Sequence, residues 1–307
     1  MALLDGRVVV VTGAGRGIGR GEVLELARQG ASVVVNEVDA DAGAAVVAEV
    51  RAAGGEAVLD TGDVTDPVAA QALVDRAVGE LGGLDALVAN AGVLRDRTLV
   101  KMSPEEWDAV VAVHLRGHYT TVRAACAHWR AEHEAGRPVS GRVVCTSSTS
   151  GLLGNFGQSN YGAAKAGIAA FAVIVAQEVA RYGVTVNAIA PAARTRMTEG
   201  AYGERLETGP GGGTGFDFWA PENVAPFVAY LCSREAGHVS GKVFGVQGDA
   251  VELYRPWTSA AAIENGGRRW EPEQFLSRAA ELFDSAGVPP EAEAAMRRLR
   301  WSMTRRG

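Results

Sequence analysis

Residues 8–19 read Val8-Val9-Val10-Val11-Thr12-Gly13-Ala14-Gly15-Arg16-Gly17-Ile18-Gly19, and this stretch decides the fold. Four consecutive β-branched residues make a strand covered on both faces, as the strands of parallel sheets are. The glycines that follow let the backbone turn tightly, and apolar spacing predicts a helix over 18–29. The N–H groups at the start of that helix would face a pyrophosphate. The G-x-G-x-x-G spacing fails, because Ile18 and Arg20 fall where its third glycine would stand. The pattern T-G-x-x-x-G-x-G fits, with Gly13, Gly17 and Gly19. A strand, a glycine turn and a helix in this order open a dinucleotide-binding α/β unit.

Outward from there the alternation continues. Apolar runs at 32–36, 57–59, 84–89, 142–146, 185–189 and 243–246 predict strands. Between them, helical spacing predicts helices at 41–53, 67–81, 161–181 and 221–232, and one long helix at 105–132. The expected architecture is α/β: a single-domain Rossmann-type doubly wound parallel sheet over 1–250, with its ligand beyond the carboxyl ends of the strands. Residues 251–307 lack the alternation and form a C-terminal extension. Two segments break the rhythm. The glycine-rich 207–218 reads as a mobile flap that brings Phe216, Phe218 and Trp219 over a substrate. The tail carries Trp257 and Trp270, read as packing anchors, then Trp301 and five arginines between Arg297 and Arg306.

Charge and cysteines narrow the function. In 307 residues, 30 Lys+Arg stand against 36 Asp+Glu, a net −6, which argues against nucleic acid as a partner. Cys126, Cys145 and Cys232 form no C-x-x-C pair, so neither a disulfide framework nor a metal site is expected, and a reducing cytoplasm suits them. The run Val8–Val11 is too short for a secretory signal. No stretch of ~20 consecutive apolar residues suggests membrane insertion.

Several residues carry chemistry. Glu37 closes the second strand, where a carboxylate accepts hydrogen bonds from an adenosine ribose diol and repels a 2′-phosphate. This favours NAD; Arg16 in the glycine turn keeps NADP open as the alternative. Asp63-Val64 follows the third strand, where the Asp can hold an adenine amino group. Asn90-Ala91-Gly92 follows the fourth and leaves room for a cofactor. Tyr161 and Lys165, four apart, share a helix face, so the ammonium favours a phenolate, and Ser148 lies 13 residues before Tyr161 to hold a substrate oxygen.

Taken together, these motifs resemble the short-chain dehydrogenase/reductase family over about residues 5–250. Val34-Val35-Asn36, Leu94-Arg95-Asp96-Arg97, Val113-His114-Leu115-Arg116-Gly117, Asn155-Phe156-Gly157-Gln158 and Arg196-Met197-Thr198 are similar to the (3R)-hydroxyacyl-CoA dehydrogenase domains of peroxisomal multifunctional enzymes. They are similar too to actinobacterial steroid-catabolic dehydrogenases. The resemblance implies Tyr161 as general acid/base, Lys165 as its electrostatic partner and ribose ligand, and Ser148 as donor to the substrate oxygen. It also implies a cofactor cradle of Gly13, Arg16, Gly17, Ile18, Gly19, Glu37, Asp63, Val64, Asn90, Ala91, Gly92, Pro191 and Thr195. The family usually has Asn where this chain has His114, whose backbone carbonyl would hold a relay water. The usual Pro-Gly is Pro191-Ala192 here. The implied substrate is a 3-hydroxyacyl-CoA, including steroid-derived ones. The alternatives are a free hydroxysteroid or other secondary alcohol, or a nucleotide sensor without catalysis. A homodimer or homotetramer is expected.

Overall fold

A computed structural model describes residues 2–195, 216–255 and 257–291. Eight strands lie side by side: β1 (Val8–Thr12), β2 (Ser32–Asn36), β3 (Ala57–Asp60), β4 (Ala86–Ala89), β5 (Arg142–Thr146), β6 (Thr185–Ala192), β7 (Val243–Gln247) and β8 (Ala250–Tyr254). Their spatial order is β3-β2-β1-β4-β5-β6-β7-β8. All pairings through β7 are parallel. The chain leaves β1 in one direction and returns beside it as β4, which puts the topological switch between these two strands.

Helices cover both faces. One layer packs Val8, Val10, Leu87, Val143 and Val186 beneath α3 (Pro67–Leu81), α5 (Gly117–Glu134) and α7 (Ser159–Val179). The other packs Val9, Val11, Val33, Val88 and Val144 beneath α1 (Gly17–Arg28), α2 (Ala40–Ala52) and the helix Ala225–Cys232. Successive strand residues point to opposite faces, so uninterrupted Val runs supply both layers at once. The amino end of the sheet holds two buried guanidinium groups. Arg7 donates to the Ser140 and Asp85 carbonyls, and Arg142 to those of Gly141, Ser233 and Arg234.

Four expectations need correction. The long helix 105–132 is α4 (Pro104–Val111), a π-helical turn (Ala112–Arg116) and α5 in succession. The tail does not begin outside the sheet. Gly248 takes φ +53° and turns the chain back as β8, antiparallel to β7 with Gln247 opposite Ala250. Its residues alternate in exposure, and a strand covered on one face lacks the continuous apolar run of the others. Helix Ser159–Tyr182 is long and apolar enough, by length and composition, to cross a membrane, although no unbroken apolar run announces it. In the fold Ile168, Ala172, Ala176 and Val179 are spent on the sheet.

The fourth concerns the aromatics. Phe218 and Trp219 are buried, with rings 4.8 Å apart, instead of lining a movable flap. The Phe218 ring occupies the space above Gly248, where a Cβ would come within 2.2 Å of it. Phe216 stays exposed, and 207–215 lies outside the described residues. Trp257 is 95% exposed and anchors nothing among the described residues. Trp270 does pack, stacked on Phe275 at 4.8 Å with the Arg278 guanidinium over its other side. Residues 196–198, the Arg297–Arg306 arginines and Trp301 lie outside the described residues.

Candidate active site

The carboxyl ends of β1, β2, β4, β5 and β6 converge on one rim, and the expected residues stand along it. The glycine turn after β1 is built for a close neighbour. Gly13 takes φ +62° and Gly17 φ +55°, and a Cβ on Gly19 would sit 2.3 Å from the Gly13 carbonyl oxygen. No side chain caps α1, since Arg16 at the N-cap makes no such bond. The first-turn N–H groups are thus left for an anion, which fits a pyrophosphate.

The turn is latched to β4 by Thr12, a residue that the sequence reading left out of the site. Its Oγ1 accepts the backbone N–H of Asn90 (3.0 Å) and of Ala91 (3.1 Å). The Asn90 amide returns the favour by donating to the Thr12 and Gly13 carbonyls at 3.1 Å each. Asn90 therefore braces the turn with its side chain instead of merely leaving space beside it. A Cβ on Gly13 would approach Ala91 Cα to 2.7 Å, so the two loops touch backbone to backbone.

Glu37 lies one residue past the end of β2, and its carboxylate accepts the Gly15 N–H (3.0 Å) and the Asp39 N–H (3.2 Å). That holds a carboxylate against the glycine turn where a ribose diol would arrive. Arg16 is engaged at 2.6 Å by Asp39, which offsets the cation that a 2′-phosphate would seek. Asp63 closes its own turn by accepting the Thr65 N–H (2.8 Å), with the carboxylate exposed. Val64 is buried, and its carbonyl accepts the Thr120 hydroxyl. Pro191 sits in β6 opposite Val246, and Thr195 lies over Gly17, where its Cγ2 would be 3.3 Å from an added Cβ.

Ser148 follows β5 and caps the short helix α6 (Thr149–Leu153), its hydroxyl accepting the Ser150 N–H at 3.2 Å. The Ser147 hydroxyl donates to the Lys165 carbonyl (2.7 Å), and a Cβ on Gly151 would meet the Ala166 nitrogen at 2.4 Å. These contacts press the Ser148 turn onto α7 at the level of Lys165. Lys165 is 2% exposed, its Nζ donates to the Thr146 carbonyl at 2.5 Å, and it stands 5.5 Å from the centre of the Tyr161 ring. Burial pulls the Lys165 ammonium down to about 7. A second residue missed in the sequence, Asn160, positions the tyrosine: its Oδ1 accepts the Tyr161 N–H (2.7 Å) while its amide donates to the Arg95 carbonyl (3.0 Å).

His114 lies in the π-helical turn, 1% exposed, with its ring edge-on to Tyr161 at 5.1 Å. Its Nε2 is 2.7 Å from the Val93 carbonyl oxygen. Burial, then the charge of Lys165, holds the imidazole well below its usual range, so it is neutral. Gly92 leaves room for that ring: a Cβ there would be 2.3 Å from His114 Cε1. The Leu94–Arg97 loop is clamped to 155–158 by the Arg97 N–H on the Gly157 carbonyl (2.9 Å) and the Gln158 amide on Asp96 (2.7 Å). Two motifs far apart in sequence thus form one wall beside Tyr161. Among the described residues no cluster of His, Cys, Asp or Glu could hold a metal ion.

A phosphate-ready turn at a switch point, joined to a Ser, Tyr and Lys on adjoining elements, defines a nicotinamide-dependent oxidoreductase. The chain belongs to the short-chain dehydrogenase family, whose model matches residues 7–204. It is 45% identical over 295 residues to the hydroxyacyl-CoA dehydrogenase ChsB1 of Mycobacterium tuberculosis, covering 94% of this chain and 91% of that one. It is 41% identical over 259 residues to peroxisomal multifunctional enzyme type 2 of Drosophila melanogaster, covering 81% of this chain and only 40% of that protein. A crystal structure of a short chain dehydrogenase from Mycobacterium avium superposes with a TM-score of 0.84 at 46% identity, over 94% of this chain and 98% of that one.

Proposed function

We propose that this chain is an NAD-dependent dehydrogenase that oxidises a 3-hydroxyacyl-CoA, including one with a steroid-derived acyl group, to the 3-oxoacyl-CoA. The observation that carries the reading is the likeness along nearly the whole chain to a hydroxyacyl-CoA dehydrogenase. In this reading residues 1–250 form the catalytic domain and 251–307 an extension that helps close the site. The protein works in the cytoplasm as a homodimer or homotetramer.

Tyr161, as phenolate, takes the proton of the substrate hydroxyl while the Ser148 hydroxyl donates to the same oxygen. The Lys165 ammonium favours the phenolate and faces the ribose; buried neutral His114 packs the phenol ring in place. The nicotinamide, when bound, supplies the hydride acceptor. Glu37, beside Gly15, accepts hydrogen bonds from the ribose hydroxyls and, with Arg16 drawn to Asp39, turns the site toward NAD. Thr195, over Gly17, contacts the far part of the dinucleotide.

The test is the initial rate of NAD+ reduction with a (3R)-hydroxyacyl-CoA, the corresponding free alcohol and a 17β-hydroxysteroid. Turnover of the thioester, lost by a factor of about 10²–10⁴ in Tyr161→Phe, is the expected result. Turnover of the steroid without the thioester would replace the substrate class, and full activity of Tyr161→Phe would remove the proposed mechanism.

A further inference from the structure

A second histidine lies behind the first. His118, in the first turn of α5, is 2% exposed, and its Nδ1 is 2.6 Å from the His114 carbonyl oxygen. That carbonyl can only accept, so the bond requires the proton on Nδ1. Burial, with the charge of Lys165 next in importance, draws His118 down to about 3, so the ring stays neutral with its tautomer fixed. Its Nε2 is buried with no hydrogen-bond partner among the described residues, a cost that an apolar side chain of similar size would avoid. The ring must therefore repay that cost through Nδ1.

The contacts then run in one direction. The His114 carbonyl that His118 holds belongs to the π-helical turn, a wide turn found mostly at functional sites. The same turn carries the His114 ring, which is fixed at its other end to Val93 and meets Tyr161 edge-on. Thr120 and Thr121 brace the helix just beyond, donating to the Gly117 carbonyl at 3.0 and 2.8 Å. We propose that His118 is a positioning residue for the reaction: its Nδ1–H pins the π-helical turn and so sets the His114 ring against the tyrosine.

This inference rests on the proposed role of Tyr161, and the variants separate the two. His118→Phe keeps a buried ring and removes the donor. His118→Asn restores an N–H at the position of Nδ1. In the full chain with NAD+ and the hydroxyacyl-CoA, His118→Phe is expected to lower kcat about tenfold with KM for NAD+ unchanged within twofold, and His118→Asn to recover most of kcat. His118→Ala makes the same comparison should the Phe ring prevent folding. A folded donor-less variant that keeps wild-type kcat, or an Asn variant as impaired as the Phe or Ala variant, would overturn the proposal. Activity surviving Tyr161→Phe would overturn the underlying reading of the site instead.

Discussion

Single residues here do work that depends on one or two partners. Glu37 accepts two backbone N–H groups at the edge of the glycine turn, and Asp39 occupies the only cation in that turn. Glu37→Ala is expected to raise KM for NAD about tenfold or more, the scale of a lost hydrogen bond to a charged group, and to narrow the preference over NADP. Initial rates with both cofactors check it, and an unchanged ratio would confine Glu37 to a loop-bracing role. Glu37, Tyr161, Lys165 and Ser148 were legible because their spacing relative to strand ends is chemical information carried in the chain itself. Thr12, Asn160 and His118 were not, for their value lies in partners that only folding brings near. Thr12 reads as the end of an apolar strand, and its latch to Asn90 spans 78 positions.

At the scale of elements, legibility followed burial. β1, β2, β4 and β5 are covered on both faces and announce themselves as apolar runs, whereas β8, half exposed, does not. The π-helical turn was invisible for a different reason: one extra residue in a helix leaves the amphipathic pattern on both sides intact. That turn is nonetheless a tight joint, because the end of β4 packs against it at Gly92. Gly92→Ala would press a methyl group into the buried His114 ring, which is no flexible side-chain tip. A fall in kcat of about 10²-fold is expected, with a loss of roughly 1–3 kcal/mol in stability from overpacking. Steady-state kinetics beside urea melts would show both; wild-type kcat would mean that the ring can move without consequence.

For the whole molecule, the balance of burial and charge gives a pH-dependent stability. Glu22, on α1, is fully buried with both carboxylate oxygens lacking partners among the described residues, and burial pushes it up to about 8. Between the ordinary value of 4.5 and about 8 the folded chain keeps a proton that the unfolded chain releases. Stability contributed at low pH is therefore lost as pH rises through this window, by about 1.4 kcal/mol per unit. Lys165 has the opposite sign: from about 7 up to 10.5 the unfolded chain holds the extra proton, so stability recovers as pH rises. Glu22→Gln should remove the first slope, and denaturant midpoints at pH 5, 6.5 and 8 would show a gain over wild type that grows with pH. A constant difference across that range would mean that Glu22 is hydrated or paired in solution.

The switch between β1 and β4 also divides the chain's inheritance. Everything that would cradle the adenosine and pyrophosphate, from Thr12 through Gly92, is encoded before residue 93, apart from Thr195; the wall beside Tyr161, both histidines and the Ser-Tyr-Lys group come after it. The seam is held by Thr12 and Asn90, both on the earlier side. A hybrid gene crossing over just past Gly92 would keep its own coenzyme choice and acquire another dehydrogenase's substrate range, since no bond of the latch is cut.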